Sequence, residues 1–291
     1  MRFLLMLSAF VLLTSTAFAK DETEVITSCS ELFGFVGLAE RGDDTVIEDI
    51  SDGCRITNFY VGTSDYQRYR VAALSVTAPG LFEAFAADLP PTSAEIVATG
   101  IALAPRIDPV FEYLMEVQNQ PFDAHLSYRW DDTAGTLEVR DIGISSPLLG
   151  RLAFSATISG VGAEEFAEAR TGMTPAIMLK AMEVTLDNGM VFESFVLPSL
   201  ISLLPLDQDP RPAIALYQQQ ALALLSGLPD SLIDKASKAA IAGFIESFPR
   251  PKGEYVVAMT SEAGIGFDDL EPLLSLLEQP GTITIRASHS Q

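Results

Sequence analysis

Histidine, cysteine and tryptophan are nearly absent from this chain. Its 291 residues include two histidines, two cysteines and one tryptophan. Zinc is disfavoured, because its usual ligands are His and Cys. A Ser-His-Asp triad needs a histidine buried against a serine and an acid. His125 reads instead as an exposed residue on the polar side of a strand, and His289 lies two residues from the C-terminus. No Gly-x-Ser-x-Gly elbow is present. One tryptophan is few for a sugar-stacking cleft, although the count of carboxylates leaves a paired-acid hydrolase open. Basic residues are also scarce, with 18 Lys and Arg against 39 Asp and Glu, a net charge of −21. That balance disfavours nucleic acid, whose phosphates need Lys and Arg, and flat docking on anionic lipid headgroups. Acidity of this kind keeps an exported chain dispersed. Gly34 and Gly37 are spaced too loosely for a phosphate cradle. Glu48–Gly53 offers oxygen ligands without the spacing of a twelve-residue calcium loop, so it reads as a solvated acidic loop. The sequence therefore nominates no catalytic, cofactor-binding or metal-binding residue.

Long apolar runs are missing too, except at the start. Arg2 precedes an apolar stretch from Phe3 to Leu13, and Ala17-Phe18-Ala19 stands just before Lys20. This is the layout of a cleaved secretory signal, residues 1–19. The run is shorter than the ~20 residues a membrane anchor needs. Cys29 lies ten residues past the cleavage point, too far for a lipoprotein cysteine. With no later apolar span, the expectation is a periplasmic or secreted protein without a transmembrane segment after cleavage. In such a compartment Cys29 and Cys54 predict one disulfide. Its loop of 26 residues would stabilise the fold by roughly 3–4 kcal/mol in the chain-entropy model.

What is abundant is alternation. Residues 20–62 read as a small, loop-rich, disulfide-stapled segment, and 63–291 as a domain of antiparallel sheet plus helices. Leu126, Tyr128 and Trp130 alternate with polar residues, then an Asp131–Gly135 turn leads to Leu137 and Val139, predicting a hairpin. The same period of two marks Leu152–Ile158, Met182–Leu186, Tyr255–Met259 and Ile283–Ile285. One apolar face per strand implies antiparallel sheet covered on one side. Helical spacing runs from Pro212 to Leu225, with Gly227 suited to a C-terminal cap. A second helix, capped by Asp230 or Ser231, extends to Phe248, and the two form a helical hairpin. A third opens at Asp268 or Asp269 and carries Leu273, Leu274, Leu276 and Leu277. A short echo relates Ala73–Phe85 to Ala181–Phe195, which as a true repeat would be a unit of about 110 residues.

The segments Leu137–Ile144 and Leu148–Phe154, then Met182–Gly189 and the closing Pro280–Arg286, resemble the strands of AsmA-like and YdgA-like periplasmic proteins of Gram-negative bacteria. The likeness covers roughly residues 71–286. It implies a long, curved antiparallel sheet with an apolar groove, a role in envelope lipid handling, and no catalytic residues. Larger members often keep an N-terminal membrane helix, and the stapled Cys29–Cys54 segment is not part of their pattern.

The expected fold class is thus α+β: a curved, mostly antiparallel sheet with a helical hairpin and a further C-terminal helix. The expected function is non-enzymatic binding of an apolar ligand or envelope component. The groove candidates are Leu126, Tyr128, Trp130, Phe154, Ile158, Val184, Val257 and Met259. The alternatives are an interaction factor without a cavity and, behind it, a carboxylate-dependent hydrolase. A lined groove and a filled core demand the same alternation, so the pattern alone leaves both open.

Overall fold

The computed structural model describes residues 26–35, 37–87, 89–165, 176–202, 204, 209–266 and 283–290. The signal segment and the helix expected from Asp268 or Asp269 lie outside these residues. Ten strands form an open antiparallel sheet whose spatial order equals chain order. They are β1 (Ala39–Ile50), β2 (Gly53–Ser64), β3 (Gln67–Thr77), β4 (Ser93–Leu103), β5 (Phe122–Asp131), β6 (Thr136–Ser146), β7 (Gly150–Ser159), β8 (Met178–Asn188), β9 (Gly253–Gly266) and β10 (Thr284–Ser290). The named helices are α1 (Cys29–Phe35), α2 (Leu81–Ala86), α3 (Pro109–Gln118), α4 (Leu197–Ile201), α5 (Pro210–Gly227) and α6 (Lys235–Ser247), with a five-residue π-helical turn at Phe192–Val196. The chain divides into two compact units, one holding β1–β6 and the other β7–β10.

In the first unit, the stretch expected to be loop-rich is mostly strand. β1 and β2 form a hairpin, because Val46, Ile47 and Ile50 supply enough apolar positions to pair with Thr57, Ile56 and Gly53. The acids between the cysteines do not prevent pairing, since Glu48 and Asp49 are exposed on an edge strand. Cys29 and Cys54 are disulfide-bonded, with Cα atoms 5.5 Å apart, and both are fully buried. The bond ties the first turn of α1 to β2. Asp49 Oδ1 accepts from Cys29 N at 2.9 Å, and Ser28 Oγ accepts from Glu31 N, so α1 is capped before it reaches the sheet. Phe33 then packs edge-on against Phe59, their centroids 5.6 Å apart.

Bulges keep the apolar side chains on one face. In β6 the apolar positions switch from Leu137 and Val139 to Ile142 and Ile144, odd numbers to even. Arg140 is the extra residue: Tyr128 pairs with Val139, while Ser127 pairs with Asp141. Without that bulge the second half of β6 would present its polar side to the core. In β8 the extra residue is Lys180, whose neighbours Leu179 and Ala181 pair with Ile158 and Thr157. Lys180 Nζ donates to the carbonyls of Glu262 and Ala263, in a matching protrusion of β9.

In the second unit the helices begin elsewhere than the sequence suggests. Helix α5 starts at Pro210, because the Asp209 side chain accepts from Arg211 N, and it ends at Gly227, which is its last helical residue, with Leu228 as the cap. Helix α6 is capped by Asp234, not by Asp230 or Ser231, its Oδ1 accepting from Ser237 N at 2.7 Å. The intervening residues have another task. Leu232 O accepts from Ile285 N, Ser237 Oγ accepts from Ala287 N, and Asp234 pairs with Arg286. They seal the outer edge of β10. Both echoed segments are a strand, a turn and a short helical turn: β3 with α2, and β8 with the π-helical turn.

Gly53 and Gly150 open β2 and β7 with positive φ. A Cβ there would lie 1.8 Å from Val76 O and 2.0 Å from Asp187 O, respectively. The left-handed backbone alone costs a side chain about 1–3 kcal/mol. Gly53→Ala and Gly150→Ala are expected to lower urea-unfolding stability by at least that much. Gly227→Ala, in an open helical position, is expected to raise it by roughly 0.5–1 kcal/mol. Equal effects at all three glycines would contradict the assignment. Reducing the disulfide is expected to cost roughly 3–4 kcal/mol in the same assay, and an unchanged midpoint in reductant would show that it contributes nothing.

Candidate functional site

The register assembles the apolar faces into rows. In the first unit, one row runs Ile47, Ile56, Leu74, Ala98, Ala124 and Ile144 across β1 to β6. The next runs Cys54, Val76, Ile96, Leu126 and Ile142. Helices α1 and α2 help close the β1–β4 side, where Cys29, Cys54, Ala78, Leu81 and Ala94 form one buried cluster. Phe33, Ile56, Phe59 and Val71 form another. Further along, Ile96, Leu126 and Ile142 are only half-buried. Trp130 is buried, and its Nε1 donates to Val161 O. Tyr128 lies between, opposite Ala94 and Val139, and burial pushes its phenol up to about 12.

The second unit repeats the arrangement. Phe154, Val184 and Val257 stand in one row across β7, β8 and β9, all half-buried. Met182 and Met259 occupy the adjacent row, and Met259 is buried. Ile158 lies beyond the Lys180 bulge, opposite buried Leu179. An aromatic group closes the other end. Phe192 packs edge-on against Phe244 and Phe248, and Phe244 against Tyr255. His289 stacks on Tyr255 at 4.2 Å.

The eight sequence candidates therefore fall into two groups. Leu126, Tyr128 and Trp130 share β5, and the other five share β7–β9. Trp130 and Met259 are core residues, whereas Leu126, Phe154, Val184 and Val257 retain exposure. Ile96 and Ile142 belong with Leu126 and were not among the candidates. The period-two pattern of Ala94, Ile96 and Ala98 was the available signal for the first.

His125 is not the exposed residue the sequence suggests. It is half-buried, and its Nε2 lies 2.6 Å from Asp141 Oδ2. The β6 bulge creates this pair, because it moves Asp141 onto the face that His125 occupies. Glu48–Gly53, read as a loop, instead spans the β1–β2 turn. Among the described residues, no group of three or more His, Cys, Asp and Glu side chains is placed to hold a metal ion. No described helix is long and apolar enough to cross a membrane.

One concavity lies on the helices. Between α5 and α6, a groove of about 400 Å³ has Leu222, Leu225, Ala239 and Ala242 among its lining. Lys235, Lys238 and Asp230 contribute charge to it. Lys238 Nζ is held by Leu228 O and by Asp230 Oδ1, the latter at 2.8 Å, and this ammonium keeps the Asp230 carboxyl below its usual range. No family model and no curated protein matches the chain.

Tyr128 gives the first unit a spectroscopic reporter. An unfolded tyrosine ionises near pH 10, so between there and about 12 the native state holds a proton the unfolded chain has lost. Stability is expected to fall as pH rises through that window. In an absorbance titration, Tyr128→Phe is expected to remove the last phenol to ionise. Persistence of that late phase would assign it to another tyrosine.

Proposed function

We propose that this chain is an exported, non-enzymatic binding protein that holds an apolar ligand, such as a lipid acyl chain, against the half-covered part of its sheet. The observation that carries this reading is the incomplete burial of large apolar side chains in the middle of regular rows. Phe154, Val184 and Val257 in one unit, and Ile96, Leu126 and Ile142 in the other, are paired strand to strand yet only half-buried. Apolar surface of this kind gains free energy when covered, at roughly 25 cal/mol per Å². Binding sites for small apolar ligands are concave, mostly apolar and largely pre-formed. The disulfide agrees with an oxidising compartment, and the secretory-type N-terminus agrees with export. The resemblance to periplasmic envelope proteins points to the same ligand class.

The test is titration with a fluorescent polyene fatty acid. Saturable enhancement is expected, weakened at least tenfold by Val184→Arg or Leu126→Arg, each checked for native circular dichroism. Val184→Ser, which keeps the volume small, is expected to weaken binding less. No enhancement, or equal binding by all variants, would overturn the proposal.

A further inference from the structure

The two terminal strands of the sheet are finished unequally. The chain itself completes β10: Leu232 O accepts from Ile285 N, Ile233 bridges Ile285, and Ser237 Oγ accepts from Ala287 N. At the opposite end of the strand order stands β1. Among the described residues, its segment Val46–Ile50 has no backbone hydrogen bond beyond the ladder with β2. In an antiparallel strand alternate residues turn their N–H and C=O outward. This edge therefore presents a row of unpaired donors and acceptors, and an extended backbone is the group that matches such a row along its length.

The open segment has definite limits. Its register with β2 shifts between Arg41 and Val46. That bulge closes on itself, because Thr45 Oγ1 accepts from Gly42 N and donates to Asn58 O. A bulge terminates regular pairing, and the Ser51–Asp52 turn terminates it at the other end. A partner strand is thus confined to the span of Val46–Ile50.

The side chains narrow the partner further. Arg41, the one basic residue of β1, donates to Ser30 Oγ and lies over the Phe33 ring. Glu40 is paired with Arg68 and Arg106, and Asp49 Oδ1 accepts from Cys29 N. Asp43, Asp44 and Glu48 are exposed and make no ion pair among the described residues, although Arg55 stands opposite Glu48 on β2. A second copy of β1 would set these acids against its own, which bars self-pairing. A strand bearing Lys or Arg meets attraction in place of that repulsion. Val46 is 49% exposed and shares a face with Glu48. The strand that fits places an apolar residue against Val46 and, two positions away, a basic one against Glu48.

We propose that Val46–Ile50 is a strand-addition site for an extended, basic segment of a partner protein. Backbone pairing supplies the affinity, and the acids select the sign of the partner. The site is separate from the half-covered rows and does not rest on the apolar ligand proposed for them.

The probe is a fluorescent peptide with lysine and valine in turn on one face and threonine on the other, titrated into the full exported chain. A saturable rise in anisotropy is expected, together with slower amide exchange across Val46–Ile50. The same peptide methylated on its backbone amides keeps its charge and loses its donors, and it is expected to bind at least tenfold more weakly. Glu48→Lys is expected to weaken binding of the unmethylated peptide roughly tenfold. Glu183→Lys, on exposed β8 in the second unit, changes the net charge equally and is expected to leave binding unchanged. Both variants are checked for native circular dichroism, and the methylated peptide tests the unaltered chain. Equal binding by the two peptides would reduce the effect to bulk charge and overturn the proposal. Equal weakening by the two variants, or no saturable binding, would overturn it as well.

Discussion

Antiparallel pairing turns every second side chain to the same face, and this fold depends on keeping the apolar ones there. A slip of one residue would invert a strand. The chain does not avoid slips; it uses them. Arg140 and Lys180 each add one residue to a strand at the point where the apolar positions change parity. The bulges correct the phase, and the rows remain continuous on both sides of them. Lys180 also closes its own irregularity by donating to two carbonyls of the β9 protrusion.

The helices follow from that face. Helix α1 lies on β1 and β2 because the disulfide and the Asp49 bond to Cys29 N hold its first turn in place. The two outer edges of the sheet are treated differently. Backbone and side-chain acceptors from residues 232–237 cover β10. β1 instead carries Glu40, Asp43, Asp44, Glu48 and Asp49, all exposed. Charged edges discourage pairing with further strands, and a strongly acidic edge discourages pairing with another copy of itself most of all. The negative charge of the chain thus has a structural use beyond dispersal.

The two histidines show how context assigns a role. His289 stacks on Tyr255, and its Nε2 lies 3.0 Å from Lys252 O. His125 meets Asp141 only because of the β6 bulge. Neither role is visible in the spacing of residues, although the parity switch from Val139 to Ile142 was there to be read. The groove between α5 and α6 was equally hidden. Lys235 and Lys238 stand on α6, and only the packing of α5 beside them makes that side concave.

The sequence by itself determined the hairpin of Leu126–Trp130 with Leu137–Val139, the strands at Leu152–Ile158, Met182–Leu186 and Tyr255–Met259, the existence of helices between residues 210 and 248, and the pairing of the cysteines. These follow from local period, turn residues and the absence of any other cysteine. It misread residues 39–62, within the stretch 20–62, as loop-rich, because acidic residues lower strand propensity while an edge strand tolerates them on its exposed side. It misplaced the α6 cap, because three candidate residues lie close together and the choice was made by the β10 edge, more than 45 residues away. Which apolar residues are core and which stay half-exposed was decided by tertiary structure alone. Trp130 and Leu126 alternate identically, yet only Trp130 has Val161 folded back to accept its indole N–H and cover it.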